Sequence, residues 1–470
     1  MSNYKKYIES EINSICSISP ELIRDTFTSP ARDFTRNRKQ SLGDVLKVGL
    51  LNAGTCINEQ LRFCHGIGDD RPSASAYIQQ RDKLTQDSYR RIFEIQCRHI
   101  SNFTLFRKQY LVIAIDGSDV NIHPNPDDES TICRTYNKRY EEREKVMPVN
   151  QLHLNAAVCV PDGFFIDYEI QDWAYKDERK ACAEMMNRIA ASDRYKGYMV
   201  IITCDRGYES FYLMMLADSL GLKYCFRVHD AGSGVGIASR YMGLCDDKGC
   251  IDAVIDKKYT YCCFVEKEKD KYPDYVLCHR ENYNPFIPPS PNSQHGSRRA
   301  GLISFYPFSF RLIRFPLGNG DFETLVTNLS NDELGFTEFK ALYHMRWGIE
   351  TSFRQLKYDD CASFMHSRKK NVAIGEMILS MVFHNICTMV LMLLAEKAHQ
   401  YSAHHALLYR ISYSDLASTL RLFISGRSPT ITIDKIVREL LITLQPVRNG
   451  RSFIRVIVNH PFVPFIYRAA

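Results

Sequence analysis

Residues 110–120 read YLVIAIDGSDV, six apolar residues followed by an acid and a glycine. A run of that length without alternation predicts a strand buried on both faces. Its end at Asp116-Gly117 puts a carboxylate where the apolar run stops. YMVIITCDRG (198–207) repeats the pattern and ends in Asp205. Between the two, QLHLNAAVCV (151–160) and FFIDYEIQDW (164–173) flank Pro161-Asp162-Gly163, a turn signal that predicts a hairpin. DERKACAEMMNRIAA (177–191) and ESFYLMMLADSLG (209–221) predict helices, and KYCFRVH (223–229) predicts another strand. The order strand, strand, strand, helix, strand, helix, strand predicts a mixed α/β sheet whose first three strands form a meander.

Outward from this block the patterns change. Residues 1–100 have helical spacing, and SASAYIQQRDKLTQDSYRRIFEIQ (73–96) predicts a helix with Ser75 as its cap. Arg81, Lys83, Arg90, Arg91 and Arg98 make that region basic. From 230 to 333, glycines, strand-like alternation and the Pro-rich PFIPPSPNSQHGSRRAG (285–301) predict a β-rich insertion. The helical period returns at Gly335 and runs to about 424. Beyond it, short apolar runs mix with Pro446, Pro461 and Pro464. Met377 to Ala395 has no formal charge but contains Ser380, His384, Asn385 and Thr388 between Glu376 and Glu396. That pattern predicts a buried core helix rather than a membrane span.

The chain has 470 residues, 45% hydrophobic and 24% charged, which excludes disordered and collagen-like classes. Its 16 cysteines contain no CxxC and are too dilute for a disulfide scaffold, so reduced thiols are expected. The N-terminus lacks a signal-peptide apolar core, and a cytoplasmic location without a membrane is expected. Net charge is +6, distributed as +5 over residues 1–110, −7 over 111–360 and +8 over 361–470. Basic ends around an acidic centre suit a polyanion outside and metal-binding carboxylates inside.

Asp116, Asp205 and Glu350 stand out as candidates for that centre. Acids at the ends of adjacent buried strands project from one sheet edge, and carboxylates are the hard ligands that Mg²⁺ takes. Phosphoryl transfer uses two such cations roughly 3.5–4 Å apart. Around Glu350 the chain reads LYHMRWGIETSFRQLKYDD (342–360). On a single helix, Tyr343, Arg346, Glu350, Arg354 and Lys357 share an arc of about 80°. Leu342, Met345, Ile349, Phe353 and Leu356 form a separate apolar stripe. The surplus of cations around Glu350 suits a phosphodiester backbone beside the metal.

Other groups carry less chemistry. Asp119 reads as a turn or surface acid. The spacing of Cys245, Cys250, Cys262, Cys263 and Cys278 matches no zinc knuckle. AGSGVG (231–236) lacks the Lys-Ser/Thr of a phosphate loop. His123, His153 and His384 are lone histidines expected to be hydrogen-bonded structural residues. Trp347 is expected to pack at a cleft edge, and Phe305, Tyr306, Phe308 and Phe310 are the aromatics available to stack a flipped base.

Tyr343, Arg346, Glu350 and Lys357 fit Tyr-x2-Arg-x3-Glu-x6-Lys. With AIDGS (114–118), DRGYES (205–210), LVTNL (325–329) and YHMRWGIETSFRQLK (343–357), the chain resembles the insertion-sequence-four group of bacterial DDE transposases, known for this "YREK" signature. FTRNRK (34–39) and the SAYIQQRDKL stretch (75–84) are similar to that group's N-terminal region, so the resemblance spans roughly residues 30–400. It implies a ribonuclease H-like catalytic core with Asp116, Asp205 and Glu350 as catalytic and metal-binding triad for two Mg²⁺ ions, Mn²⁺ being a substitute. It also implies that Tyr343, Arg346 and Lys357 contact transposon-end phosphates; Arg354 joins them by its position on the same face. The implied reaction is cut-and-paste transposition of double-stranded DNA by a homodimer in a synaptic complex.

The expected layout is a helical DNA-binding domain at 1–105 and a catalytic core at 106–229 and 334–400. The β-rich insertion at 230–333 interrupts that core, and a C-terminal region for dimerisation occupies 401–470. The alternatives are a metal-dependent nuclease without strand transfer, a catalytically silent DNA-binding relative and a small-molecule α/β enzyme. Strand-transfer activity, metal-dependent nicking and salt-dependent DNA affinity separate them.

Overall fold

The structure, a computed structural model, describes residues 10, 12–36, 39–68, 71–133, 149–279, 283–289, 303–318, 320–403, 407–425 and 432–447. Residues 37–38 of the basic FTRNRK stretch, most of the Pro-rich loop, and Pro461 and Pro464 of the C-terminal region lie outside them.

Nine strands make one sheet. They are β1 (Tyr110–Ile122), β2 (Asn150–Val160), β3 (Phe164–Asp172), β4 (Met199–Cys204), β5 (Lys223–Val228), β6 (Ile251–Thr260), β7 (Tyr275–Leu277), β8 (Tyr306–Pro316) and β9 (Phe322–Thr327). Their order is β3-β2-β1-β4-β5-β9-β8-β6-β7. β1, β2 and β3 form the expected antiparallel meander, and β4 and β5 add to it in parallel. The apolar runs explain the centre: all of β2 and the first six residues of β1 are buried, as strands covered on both faces must be.

The β-rich segment at 230–333 differs from a module set apart. β9 returns to pair antiparallel with β5, and β8 and β6 continue outward from β9. The insertion therefore lengthens the same sheet edgewise.

Helices α1 (Leu42–Leu50), α2 (Ile57–His65), α3 (Ala74–Arg81) and α4 (Gln86–His99) form the N-terminal region. Residues 73–96 hold two helices rather than one. Ser73, not Ser75, caps α3, and a Thr85/Ser88 capping box starts α4. Then come α5 (Glu178–Ala191), α6 (Phe211–Ser219), α7 (Phe339–Met345), α8 (Gly348–Tyr358), α9 (Lys370–Ser402), α10 (Tyr413–Ser425) and α11 (Ile433–Ile442).

The uncharged stretch lies in α9, whose most apolar 18-residue window is 83% buried, as expected of a core helix. Its polar residues have partners. Asn385 bridges the Phe165 amide and carbonyl and Gln96 of α4 at 2.8–2.9 Å. The buried Arg81–Glu376 pair (2.8 Å) and the close approach of Gly375 to the Tyr89 ring tie α3 and α4 to α9. The N-terminal helices thus share one core with the sheet and α9.

Candidate active site

Ile115 of β1 is in parallel register with Cys204 of β4. The residues that follow, Asp116 and Asp205, therefore stand side by side at the carboxyl end of the parallel pair, where open α/β sheets place their ligands. Asp116 accepts a hydrogen bond from the Gly117 amide (2.9 Å) and Asp205 one from the Gly207 amide (2.7 Å). Burial pushes the Asp116 carboxyl up to about 6. The Gly117 amide and Arg346 oppose the rise, whereas the charges of Asp205 and Glu178 add to it.

Successive side chains on a strand face opposite ways, which sorts the surroundings of β1. Asp116 and Ser118 face α8. Arg346, between α7 and α8, reaches Asp116 Oδ2 with Nη1 (3.4 Å) and Glu350 Oε1 with Nη2 (3.1 Å). Lys357 Nζ donates to Ser118 Oγ and to the Asp119 carbonyl, both at 2.7 Å. Burial lowers the Lys357 pKa, against the pull of Asp119. Gly117 and Asp119 face α5. A side chain at 117 would run into His153 and Glu178, so glycine is needed there for space.

On that second side His153 lies between Asp119 (2.6 Å) and Glu178 (3.1 Å). Burial disfavours the charged ring, but the Asp119 hydrogen bond and the adjacent Glu178 carboxylate outweigh it and raise the pKa. Asp119 is thereby engaged with His153 and Lys176, away from Asp116, in keeping with a non-ligand reading.

Glu178 stands beside the candidate site, and sequence reasoning did not single it out. It begins α5, and its carboxylate lies near both Gly117 and Gly207, beside the two aspartates. The available signal was an acid in the first turn of the helix that follows the third strand.

The helix carrying Glu350 departs from the single wheel drawn through 342–360. Arg346 and Trp347 separate α7 from α8. Leu342, Ile349, Phe353 and Leu356 are buried, as the apolar stripe required. Tyr343 faces the interior of this structure. It is 1% exposed, near Cys225, Arg227 and Glu323 of the sheet. Arg346 is also turned inward, at 4% exposure, against the two carboxylates. Lys357 is half-buried, and Arg354 alone of the four expected DNA contacts is exposed. The inward turn follows from charge: a buried guanidinium needs anions, and Asp116 and Glu350 are the ones in reach.

The other candidates resolve into structural roles. His384 bonds Asp360 (2.8 Å) and the Gly163 carbonyl (3.1 Å), and His123 bonds the Pro124 carbonyl. Trp347 is 46% exposed, with the Arg346 guanidinium 5.3 Å from its ring centre. Phe308 and Phe310 are core residues, unavailable for stacking a base, whereas Phe305 is exposed.

Among the described residues no group of three His, Cys, Asp or Glu side chains is placed to hold a metal ion, the insertion cysteines included. The donor chemistry at the strand ends nonetheless fits a divalent cation. Asp116, Asp205 and Glu350 supply hard oxygen donors, and Arg346 is the cation that bridges two of them.

The family model of the transposase DDE domain matches residues 107–386. No curated protein matches the sequence. A cryo-EM structure of the piggyBac transposase synaptic complex with hairpin DNA is similar at 9% identity and a TM-score of 0.45, over 93% of this chain and 84% of that chain. The family match covers more than half of the chain, from just before β1 into α9, and takes in Asp116, Asp205 and Glu350. The chain therefore belongs to the transposase DDE domain family and is a DNA-transposing enzyme.

Proposed function

We propose that this chain performs cut-and-paste transposition as a member of the insertion-sequence-four group. Asp116, Asp205 and Glu350 hold two Mg²⁺ ions, or Mn²⁺ in their place, on a ribonuclease H-like core. The observation that carries the reading is the side-by-side exit of Asp116 and Asp205 from paired parallel strands, with Glu350 tied to Asp116 through Arg346. Bound there, the cations activate the attacking oxygen and stabilise the leaving one.

The substrate chemistry needs no protein nucleophile. Water attacks the scissile phosphodiester and frees a 3′-hydroxyl. That hydroxyl attacks the opposite strand to close a hairpin end, which water reopens. The regenerated 3′-hydroxyl then attacks target DNA. The chain's own contribution is positioning and neutralisation of charge. Arg354 is exposed to meet phosphates, and Lys357 joins it from the floor of the cleft. Tyr343 supports the Arg346 guanidinium, which lies 5.6 Å from its ring centre. Two copies act on two DNA ends in one synaptic complex in the cytoplasm.

The test uses labelled element ends, target DNA and Mg²⁺. The reading expects cleaved and joined products from the native chain and neither from Asp205→Ala, with DNA binding largely retained. Hydrolysis without joined product would mark a nuclease. Persistent cleavage by Asp205→Ala would remove Asp205 from the site.

A further inference from the structure

Arg346 is an unusual component for a site meant to hold metal ions. Its guanidinium lies between Asp116 and Glu350, contacting each through one nitrogen at 3.4 and 3.1 Å. Its Nε, also buried, has no hydrogen-bond partner among the described residues. The arginines on β8 behave otherwise. Arg311 grips Asp252 with two bonds of 2.7 and 2.8 Å, and Arg314 grips Asp230 with two of 2.7 and 3.0 Å. The contacts of Arg346 are longer, single and divided between two acids, so the side chain is held by charge more than by a fitted fork. Tyr343 and Trp347 flank it, with ring centres 5.6 and 5.3 Å away. Trp347 is exposed, so the guanidinium has a path along an aromatic face toward solvent.

We propose that Arg346 is an internal counter-ion that couples metal binding to DNA binding. Without DNA it neutralises Asp116 and Glu350 and competes with cations for them. A DNA phosphate offers the guanidinium another anion, Arg346 moves to it, and the carboxylates become available as ligands. Each ligand then raises the affinity for the other, by the reciprocity of linked equilibria. The inference rests on the proposed placement of the cations at Asp116 and Glu350.

The test is Mn²⁺ binding to the full chain, followed by the electron paramagnetic resonance of free Mn²⁺, with and without a saturating 40-base-pair duplex of the element's end. Arg346→Gln is expected to bind Mn²⁺ at least about fivefold more tightly than the native chain when DNA is absent. Adding the duplex is expected to tighten Mn²⁺ binding by a similar factor in the native chain and to leave Arg346→Gln unchanged. Arg346→Lys, which keeps the charge but reaches a single carboxylate, is expected between the two and carries the test if Arg346→Gln does not fold. Equal or weaker Mn²⁺ binding by a folded Arg346→Gln, or by Arg346→Lys in its place, overturns the coupling, as does a duplex that leaves the native affinity unchanged. Asp116→Asn separates the two levels. If it abolishes Mn²⁺ binding while the Arg346 variants have no effect, only the coupling fails. If it binds Mn²⁺ like the native chain, the metal site fails and the coupling with it.

Discussion

The two halves of the nine-stranded sheet treat their charges in opposite ways. On β8, two arginines each grip one carboxylate. Asp252 pairs with Arg311 and Asp230 with Arg314, the latter joined by Thr324. Hydrogen bonds from Arg314 hold the Asp230 carboxyl down at about 2. In the β1–β4 half, Asp116 and Glu350 share one buried arginine, the charges of Asp205 and Glu178 act on Asp116 as well, and burial together with like charge leaves Asp116 at about 6. Matched charge serves the fold. Unmatched charge at a sheet edge is what the proposed cations would neutralise.

The strongest way to break that contrast is to neutralise the unmatched half. Asp116→Asn, Asp205→Asn or Glu350→Gln is expected to lower end cleavage by on the order of 10³-fold or more, with the urea midpoint nearly unchanged for Asp205→Asn, which leaves both anions of Arg346 in place. A large loss of stability in all three would make these acids structural. The matched half should respond the other way. Asp252→Ala leaves Arg311 buried without its fork partner and is expected to cost about 2–3 kcal/mol in urea unfolding. That is the lower part of the range for a broken buried pair, because Asp252 is itself about one-third exposed. A cost near zero would contradict the assignment of this pair to the fold.

How much of this was legible differs between the same two halves. β1, β4 and the acids that close their apolar runs could be read because a doubly covered strand is a continuous apolar run, although β1 itself continues past Asp116 to Ile122. Glu350 could be read from helical spacing. The edgewise joining of β9 to β5 could not, because nothing local in 230–333 records which distant strand β9 will pair with. The wheel groups Tyr343 with Arg346 but cannot tell whether their shared face meets solvent or the sheet, and both are buried. Glu178 carries no periodic signal, and only the packing of α5 brings it to Asp116.

Smaller effects sharpen the boundary. Gly117→Ala drives a methyl group into His153 and Glu178. It is expected to cost about 1–3 kcal/mol of stability and to reduce cleavage as β1 shifts beside Asp116. Normal activity at full stability would show that the α5 side does not constrain the site. The smallest effect is acid sensitivity at Asp230. Its folded pKa lies below the unfolded carboxylate value, so its stabilisation is present above about pH 4 and is lost as pH falls toward about 2. Asp230→Asn is expected to flatten the fall in the urea midpoint across that window, and an unaltered slope would show that Arg314 does not hold the charge.

The most direct measurement is the anomalous scattering of Mn²⁺ in crystals of the chain bound to end DNA. Two peaks within about 2.0–2.4 Å of carboxylate oxygens from Asp116, Asp205 and Glu350 are predicted, with the Arg346 guanidinium on a phosphate. Manganese bound elsewhere, or none while Arg346 still bridges Asp116 and Glu350 over a seated scissile phosphate, would contradict the account.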